Sequence, residues 1–278
     1  MSGEHAPARP GQGLGRARAA VGEAVARLEA AALALPDVPV TAAGPGGDVS
    51  WGEEVCDRLI DLAAARAWLR AAAPGPAADG TDDLDDLDEM MHACVRWVVG
   101  EDVVRTRSRV DTYVADMMPV REGQSADAAH RLVTSVVTFA ARPAYYDGAL
   151  ARLRAALGPR PAGRAAAAWD LVDEAVRGLG VTREEWVGAD PAFTAAGGWV
   201  LVERLGRIQL ATALLAAAAG QPDPLEAQRH VNAVRRYTWN WLRQPPPEAA
   251  TEVHVRRTGE LTAWLRGAPP AAVPGRGA

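Results

Sequence analysis

The chain has 278 residues and a formal net charge of −5, and its thirty basic side chains are all arginine because the sequence contains no lysine. The missing lysine excludes a pyridoxal phosphate Schiff base and a P-loop nucleotide site, since both chemistries depend on a lysine amine. The negative net charge argues against a dedicated binder of duplex nucleic acid, which needs a strong basic field.

The beginning and the end of the chain differ in composition from the rest. Residues 1–13 predict a disordered tail, and 14–35 predict an alanine-rich helix with its apolar residues on one stripe. Residues 36–48 are rich in Pro and Gly and predict a linker. We expect an all-α helical domain over 49–267, with the N-terminal helix either packed on it or loosely tethered, and a second disordered tail over 268–278.

Helical periodicity and end signals divide this domain into helices with short connections. Ser50 and Glu53 fit a capping box, and Asp223 and Pro224 fit the cap and the first residue of a later helix. Strand-like alternation occurs only at 236–241, where the flanking caps favour a helix. The predicted helices are 51–73, 82–100 with a continuation to 118 after a break, 125–141, 143–158, 162–179 with a short piece at 183–187, 191–219, 224–243 and 248–267. Without a sheet or a fixed-period repeat, we predict a single all-α bundle of about nine helices with flexible termini.

The segment 82–89 concentrates five aspartates and one glutamate in eight residues. Carboxylate oxygens suit a hard divalent cation such as Mg²⁺. Asp82, Asp83 and Asp86 resemble the Asp-rich motif of class I terpene synthases, which implies a Mg²⁺ and diphosphate site, but the second metal motif of that family has no match downstream. The preferred interpretation is that the acids complement the macrodipole at a helix N-terminus.

Two other patterns fit a metal centre. Glu89 with His92, and Asp127 with His130, each place a carboxylate and an imidazole three residues apart, as in carboxylate-bridged di-iron bundles. Additional ligands would come from Glu54 or Asp57, and from Glu174. Such spacings also arise by chance in an acidic sequence, and surface or capping roles are the preferred interpretation.

The segment 235–243 interleaves guanidinium groups and aromatic rings, a mixture that binds a protein partner or stacks on unpaired bases. Its candidate binding residues are Arg235, Arg236, Tyr237, Trp239 and Trp241. The alternative, which we favour, is that the rings pack into the bundle while the arginine stems lie along its edge.

Other charged residues predict ordinary helix surfaces. Glu203 and Arg207 have the spacing of an i,i+4 pair. A solvated, paired face is expected where three arginines lie close to two aspartates, namely Asp102, Arg105, Arg107, Arg109 and Asp111.

The chain carries no sign of export or membrane insertion. Residues 1–15 lack the apolar core of a signal peptide. The apolar stretch 199–219 is interrupted by charges in its first half, and the remainder is too short to span a bilayer. Cys56 and Cys94 form no CxxC pair and indicate neither a disulfide framework nor a thiolate zinc site. We expect a cytoplasmic protein that is not embedded in a membrane.

No GxSxG, HExxH or GxGxxG motif is present. The leading prediction is therefore a protein–protein interaction or scaffold module without enzymatic activity. One alternative is a metal-dependent helical-bundle enzyme that uses residues 82–92. The other is a single-stranded nucleic-acid binder that uses 235–243. The sequence leaves the oligomeric state open.

Overall fold

The computed structural model describes residues 12–35, 47–72, 82–113, 142–187, 191–243 and 252–267, together with Leu132, Thr134 and Ala189. Within these residues every regular element is an α-helix, so the predicted all-α class is confirmed. The eight helices are α1 (Gln12–Leu33), α2 (Gly47–Ala71), α3 (Asp82–Tyr113), α4 (Pro143–Leu157), α5 (Ala165–Trp186), α6 (Pro191–Ala219), α7 (Pro224–Trp241) and α8 (Glu252–Leu265).

The predicted count of about nine exceeds these eight. The predicted helix 125–141 lies outside the described residues except for Leu132 and Thr134, which are both helical. The predicted tail 268–278 also lies outside them, as do residues 1–11 of the other tail and 36–46 of the linker.

Several predicted helix ends are wrong. Because α2 already begins at Gly47, Ser50 lies inside the helix and does not cap it. The helix α3 continues through Gly100 without a break, since Val98, Val99 and Val103 around it are buried in the core. Burial of these side chains offsets the cost of about 1 kcal/mol that a glycine imposes within a helix.

The short helix predicted at 183–187 is instead the last part of α5. The hydroxyl of Thr182 donates to the carbonyl oxygen of Gly178, four residues earlier, at 3.0 Å. A threonine bonded in this way is accommodated inside a helix and does not start a new one. The helix therefore runs to Trp186 without interruption.

The predicted starts of α4 and α7 and the predicted end of α4 are confirmed. Asp223 accepts hydrogen bonds from the backbone nitrogens of Leu225 and Glu226, at 2.7 and 3.1 Å, and Pro224 is the first residue of α7. Pro143 begins α4, and Gly158, with φ of 64°, ends it. The strand-like alternation at 236–241 lies within α7, as the caps predicted.

One hydrophobic core contains buried residues from all eight helices. The central helix is α6, which packs against α2, α3, α4, α5 and α7. The N-terminal helix α1 packs against α2 and α3, and its residues Val21 and Leu28 are fully buried, so it is packed on the bundle. Among the described helices, none has the length and apolarity required to cross a bilayer.

A glycine allows α3 and α6 to approach closely. A Cβ atom at Gly206 would lie 2.5 Å from Cγ2 of Val98 and 2.8 Å from the carbonyl oxygen of Cys94. Real Cβ atoms essentially never approach other atoms so closely. Only a glycine therefore lets the backbone of α6 pack directly against Val98 and the backbone of α3 at this point. The next residue of α6, Arg207, is thereby held against α3.

Candidate functional site

A charged pair lies at the contact between α3 and α6. The guanidinium of Arg207 donates from Nη1 to Oδ2 of Asp102 at 2.8 Å and from Nη2 to Oδ1 at 2.7 Å. Both side chains are buried, at 1% and 0% exposure. Two parallel bonds to an ionised carboxylate form a strong and directional interaction. The prediction of Asp102 on a solvated face is therefore wrong, because α3 turns this residue towards α6.

A second buried acid, Asp61 on α2, lies beside this pair. Its Oδ1 accepts a hydrogen bond from Nε1 of Trp241 at 2.7 Å and lies 4.0 Å from Nη1 of Arg207. Its Oδ2 lies 3.1 Å from Nη1 of Arg58, one turn earlier on α2. Four helices, α2, α3, α6 and α7, thus contribute to one polar cluster inside the bundle.

Three guanidinium groups surround the ring of Trp241. The Cζ atom of Arg207 lies 3.4 Å from the ring centroid, that of Arg105 4.7 Å and that of Arg58 5.8 Å. The face of an indole attracts cations, and a planar guanidinium can also stack on it. We call the group the arginine cluster; it consists of Arg58, Arg105, Arg207, Asp61, Asp102 and Trp241.

Burial and charge act in opposite directions on the ionisation of this cluster. Burial, together with the nearby carboxylate of Asp102, raises the pKa of Asp61 to about 7, although Arg58 and Arg207 oppose the shift. Burial by itself would lower the pKa of Arg207, but the carboxylates of Asp102 and Asp61 hold it above its ordinary value. Arg207 therefore remains charged, whereas Asp61 titrates near neutral pH.

Several polar atoms of the cluster have no hydrogen-bond partner within the described part of the chain. They include Nε of Arg207, Nη1 of Arg105, Nε of Arg58 and Oδ2 of Asp61, whose contact with Nη1 of Arg58 at 3.1 Å is an ion pair without hydrogen-bond alignment. Glu203 lies at the rim, 48% exposed, with Oε1 at 3.8 Å from Nε of Arg207 and at 3.8 Å from Nη2 of Arg105. The expected Glu203–Arg207 pair is thus a loose contact, and Asp102 is the principal partner of Arg207.

The aromatic and basic segment of α7 is divided between two faces. Tyr237 is fully buried, and Arg236 donates from Nε to Oδ1 of Asp57 at 2.5 Å. Asn240 donates to the same oxygen at 2.7 Å. With Trp241 in the arginine cluster, these residues form the inner face of α7.

The outer face of α7 carries Arg235, Trp239 and, just beyond the helix end, Arg243. Both arginines are exposed and Trp239 is half-buried. The Cζ atom of Arg243 lies 5.2 Å from the centroid of the Trp239 ring. Neither arginine forms an ion pair with any residue in the described ranges. We call these three residues, which are spaced four apart, the Arg–Trp strip.

The candidate metal ligands do not converge where the structure describes them. Glu89 is exposed on α3, while His92 is half-buried, with Nδ1 at 2.7 Å from the backbone oxygen of Asp88 and its ring against Trp68. Burial lowers the pKa of His92. No three carboxylate, imidazole or thiol groups in the described ranges are placed to hold a metal ion.

The remaining metal candidates are only partly placed. Asp82, Asp83 and Asp86 belong to the first turns of α3, but their side chains lie outside the described residues, as do Asp127 and His130. Of the additional ligands, Asp57 binds Arg236, Glu54 is half-buried on α2, and Glu174 is exposed on α5. The side chains of Arg107, Arg109 and Asp111 are likewise outside the described residues.

The two cysteines are buried as free thiols on α2 and α3. Burial raises the pKa of Cys56 to about 11 and that of Cys94 to about 12. Both therefore remain protonated near neutral pH, where a thiolate nucleophile would have to be ionised.

One feature of the sequence points to the arginine cluster, namely charged residues within apolar runs. Asp61 lies between Ile60 and Leu62, and Arg207 directly precedes Ile208, so each charge interrupts a buried apolar run. Burial of an unpaired charge is very costly, and such a residue predicts a charged partner elsewhere. The spacing does not identify that partner.

Comparison of the chain with protein-family models, with curated proteins and with solved structures found no match.

Proposed function

We propose that the protein is a non-enzymatic helical scaffold that binds an acidic segment of a protein partner through the Arg–Trp strip. The division of α7 into two faces carries the proposal. On the inner face, Arg236 is bound to Asp57, whereas Arg235 and Arg243 on the outer face have no acidic partner in the described ranges. The outer arginines are thus available to a carboxylate from outside.

The residue types of the strip suit protein recognition. Arginine and tryptophan are the side chains that most often dominate binding energy at interfaces. A guanidinium binds a carboxylate with two parallel hydrogen bonds, and the adjacent ring of Trp239 offers apolar area. The strip is locally basic on a chain of net charge −5, which favours an acidic partner segment.

The inner face of α7 weakens the nucleic-acid alternative. Stacking of successive unpaired bases requires several accessible rings along a basic groove. Tyr237 is buried and Trp241 packs against three guanidiniums, so Trp239 is the one ring of the segment that belongs to the outer face. A short acidic peptide requires no further ring.

The test introduces the photo-crosslinker p-benzoylphenylalanine at position 239 of the full chain in its native host. We expect an adduct with one protein, mapped by mass spectrometry to an acid-rich peptide. Binding of that purified partner should weaken by about tenfold or more in the double variant Arg235→Glu with Arg243→Glu, because both carboxylate contacts are reversed.

The matched control is Arg16→Glu with Arg154→Glu, which changes the net charge equally at two exposed positions, on α1 and α4. The control should bind the partner like the wild type. Equal weakening of partner binding in both double variants would show that binding depends on net charge alone, which would contradict the proposal. Binding of a single-stranded oligonucleotide that only the strip variant loses would overturn it in favour of nucleic acid.

A further inference from the structure

The rim of the arginine cluster contains an incompletely bound carboxylate. Oε1 of Glu203 lies 3.8 Å from nitrogens of both Arg105 and Arg207, which is beyond hydrogen-bond distance. Nε of the buried Arg207, which faces Glu203, lacks a hydrogen-bond partner among the described residues, and so does Nη1 of Arg105, which lies 3.9 Å from Oδ1 of Asp102. Nε of Arg207 and Nη2 of Arg105 thus face a carboxylate that covers them without forming a hydrogen bond to either.

We propose that the carboxylate of a small monocarboxylate ligand displaces the loosely held side chain of Glu203 and binds in its place between Arg105 and Arg207. A free carboxylate is not attached to α6 and can approach both guanidiniums at ordinary hydrogen-bond distances. Displacement of Glu203 costs little, because a half-exposed side chain regains water and rotamer freedom. The ring of Trp241 supplies a flat wall beside the site.

The charge of the cluster points to a monoanion. Three guanidiniums and the two inner carboxylates of Asp61 and Asp102 leave one positive charge, which Glu203 or an external carboxylate neutralises. An excess positive charge inside a bundle is unfavourable unless it is paired. Asp61 titrates near neutral pH, and its protonation adds one more positive charge. The net charge of the three arginines and the two inner aspartates is therefore at least +1.

The site is independent of partner binding by the Arg–Trp strip. Its donors come from α3 and α6, whereas the strip consists of Arg235, Trp239 and Arg243. Either proposal can therefore fail while the other holds.

The test uses the full chain and sodium acetate as the probe, at pH 7 and constant ionic strength with sodium chloride. We expect acetate to raise the melting temperature in a saturable manner, because a ligand that binds only the folded state stabilises it. The titration is repeated by NMR with ¹³C-labelled acetate at a fixed temperature, which measures binding without reference to stability.

Two variants change the affinity in opposite directions. Glu203→Gln should lower the apparent Kd for acetate by about threefold or more, because the internal competitor loses its charge and a larger fraction of sites is open. Arg105→Gln should raise the Kd by about tenfold, because one of the two donors is lost. The control Glu185→Gln, at an exposed position of α5, should leave the Kd unchanged.

Three results would overturn the proposal. The first is an equal response of the melting temperature to chloride alone. The second is a Glu203→Gln variant with unchanged or weaker acetate binding. The third is stronger binding of inorganic phosphate than of acetate, which would show a general anion site instead of a carboxylate site.

Discussion

Asp61 lies in a buried position of α2, in contact with Arg58 and near Arg207 and the carboxylate of Asp102. Removal from water disfavours its charge, and the two arginines favour it. Loss of one partner from such a buried cluster leaves a charge without compensation, which is commonly more destabilising than loss of a surface pair. The cluster is therefore a place where single residues control stability.

The pKa of Asp61 makes stability depend on pH. Its pKa is 3.8 ordinarily and about 7 in the fold, so between these values the folded chain keeps a proton that the unfolded chain has lost. The contribution of Asp61 to the free energy of unfolding should therefore fall as pH rises through this window, by at most about 1.4 kcal/mol per pH unit, and become level above it. Urea denaturation from pH 4.5 to 8.5 measures the slope.

The variant Asp61→Asn isolates this contribution. Its amide oxygen can still accept the hydrogen bond from Trp241, but it does not titrate, so its stability relative to the wild type should increase with pH up to about 7. A constant difference between the two proteins across the series would contradict the assigned titration. A uniform cost of the amide beside Arg58 would shift the curve without changing its slope.

At the scale of helices, α3 and α6 are joined by three different contacts. Gly206 permits the close approach, Arg207 binds Asp102, and the side chain of Gln209 donates to the backbone oxygen of Met91 at 3.0 Å. The contact at Gly206 sets the distance between the helices, while the two polar contacts fix their relative rotation and register. A change in the distance therefore also affects the arginine cluster.

Gly206→Ala tests this dependence. A methyl group would overlap Val98 and the backbone of Cys94, so the helices must separate, and we expect a loss of about 1–3 kcal/mol in the free energy of unfolding. Gly180→Ala in α5, where a Cβ meets nothing within 4 Å, should instead stabilise by up to about 1 kcal/mol. Chemical denaturation measures the free energy of unfolding of both variants. Similar changes in the two variants would argue against a close approach of α3 and α6.

At the scale of the whole molecule, the N-terminal helix shares the core with the other seven helices. Val21, Leu28 and Ala24 of α1 are almost or completely buried, although the sequence also allowed a loose tether. A helix that contributes to a common core should unfold together with it. The eight helices are expected to behave as one cooperative unit.

Leu28→Ala distinguishes a packed helix from a tethered one. If α1 is part of the core, the cavity left by this fully buried side chain should cost about 2–5 kcal/mol. Leu33→Ala, at an 80% exposed position of the same helix, should change stability by less than about 0.5 kcal/mol. Equally small effects in a urea denaturation series would indicate that α1 is not docked in solution.

The sequence by itself determined the helical class and most helix positions. Apolar periodicity predicted the helices, and the predicted helix starts at Pro143 and at the Asp223 cap were correct, because periodicity and start signals both depend on residues a few positions apart. Predictions that depended on weaker local signals failed at Ser50, since the helix already begins at Gly47, and at Gly100, where the buried Val98, Val99 and Val103 favour continuation of the helix. Local chemistry was thus sufficient for the elements but not for all of their ends.

Only the tertiary structure decided which charges are buried and which face outward. Arg207 meets Asp102 across 105 residues, and Trp241 meets Asp61 across 180, so no local pattern contains either pair. Their contact depends on how far α3 and α6 approach each other and on the rotation of each helix about its axis. The same rotation places Tyr237 inside and Arg235 outside on α7. Helical periodicity determines which residues share a face of one helix. Packing against the neighbouring helices determines whether that face is buried or exposed.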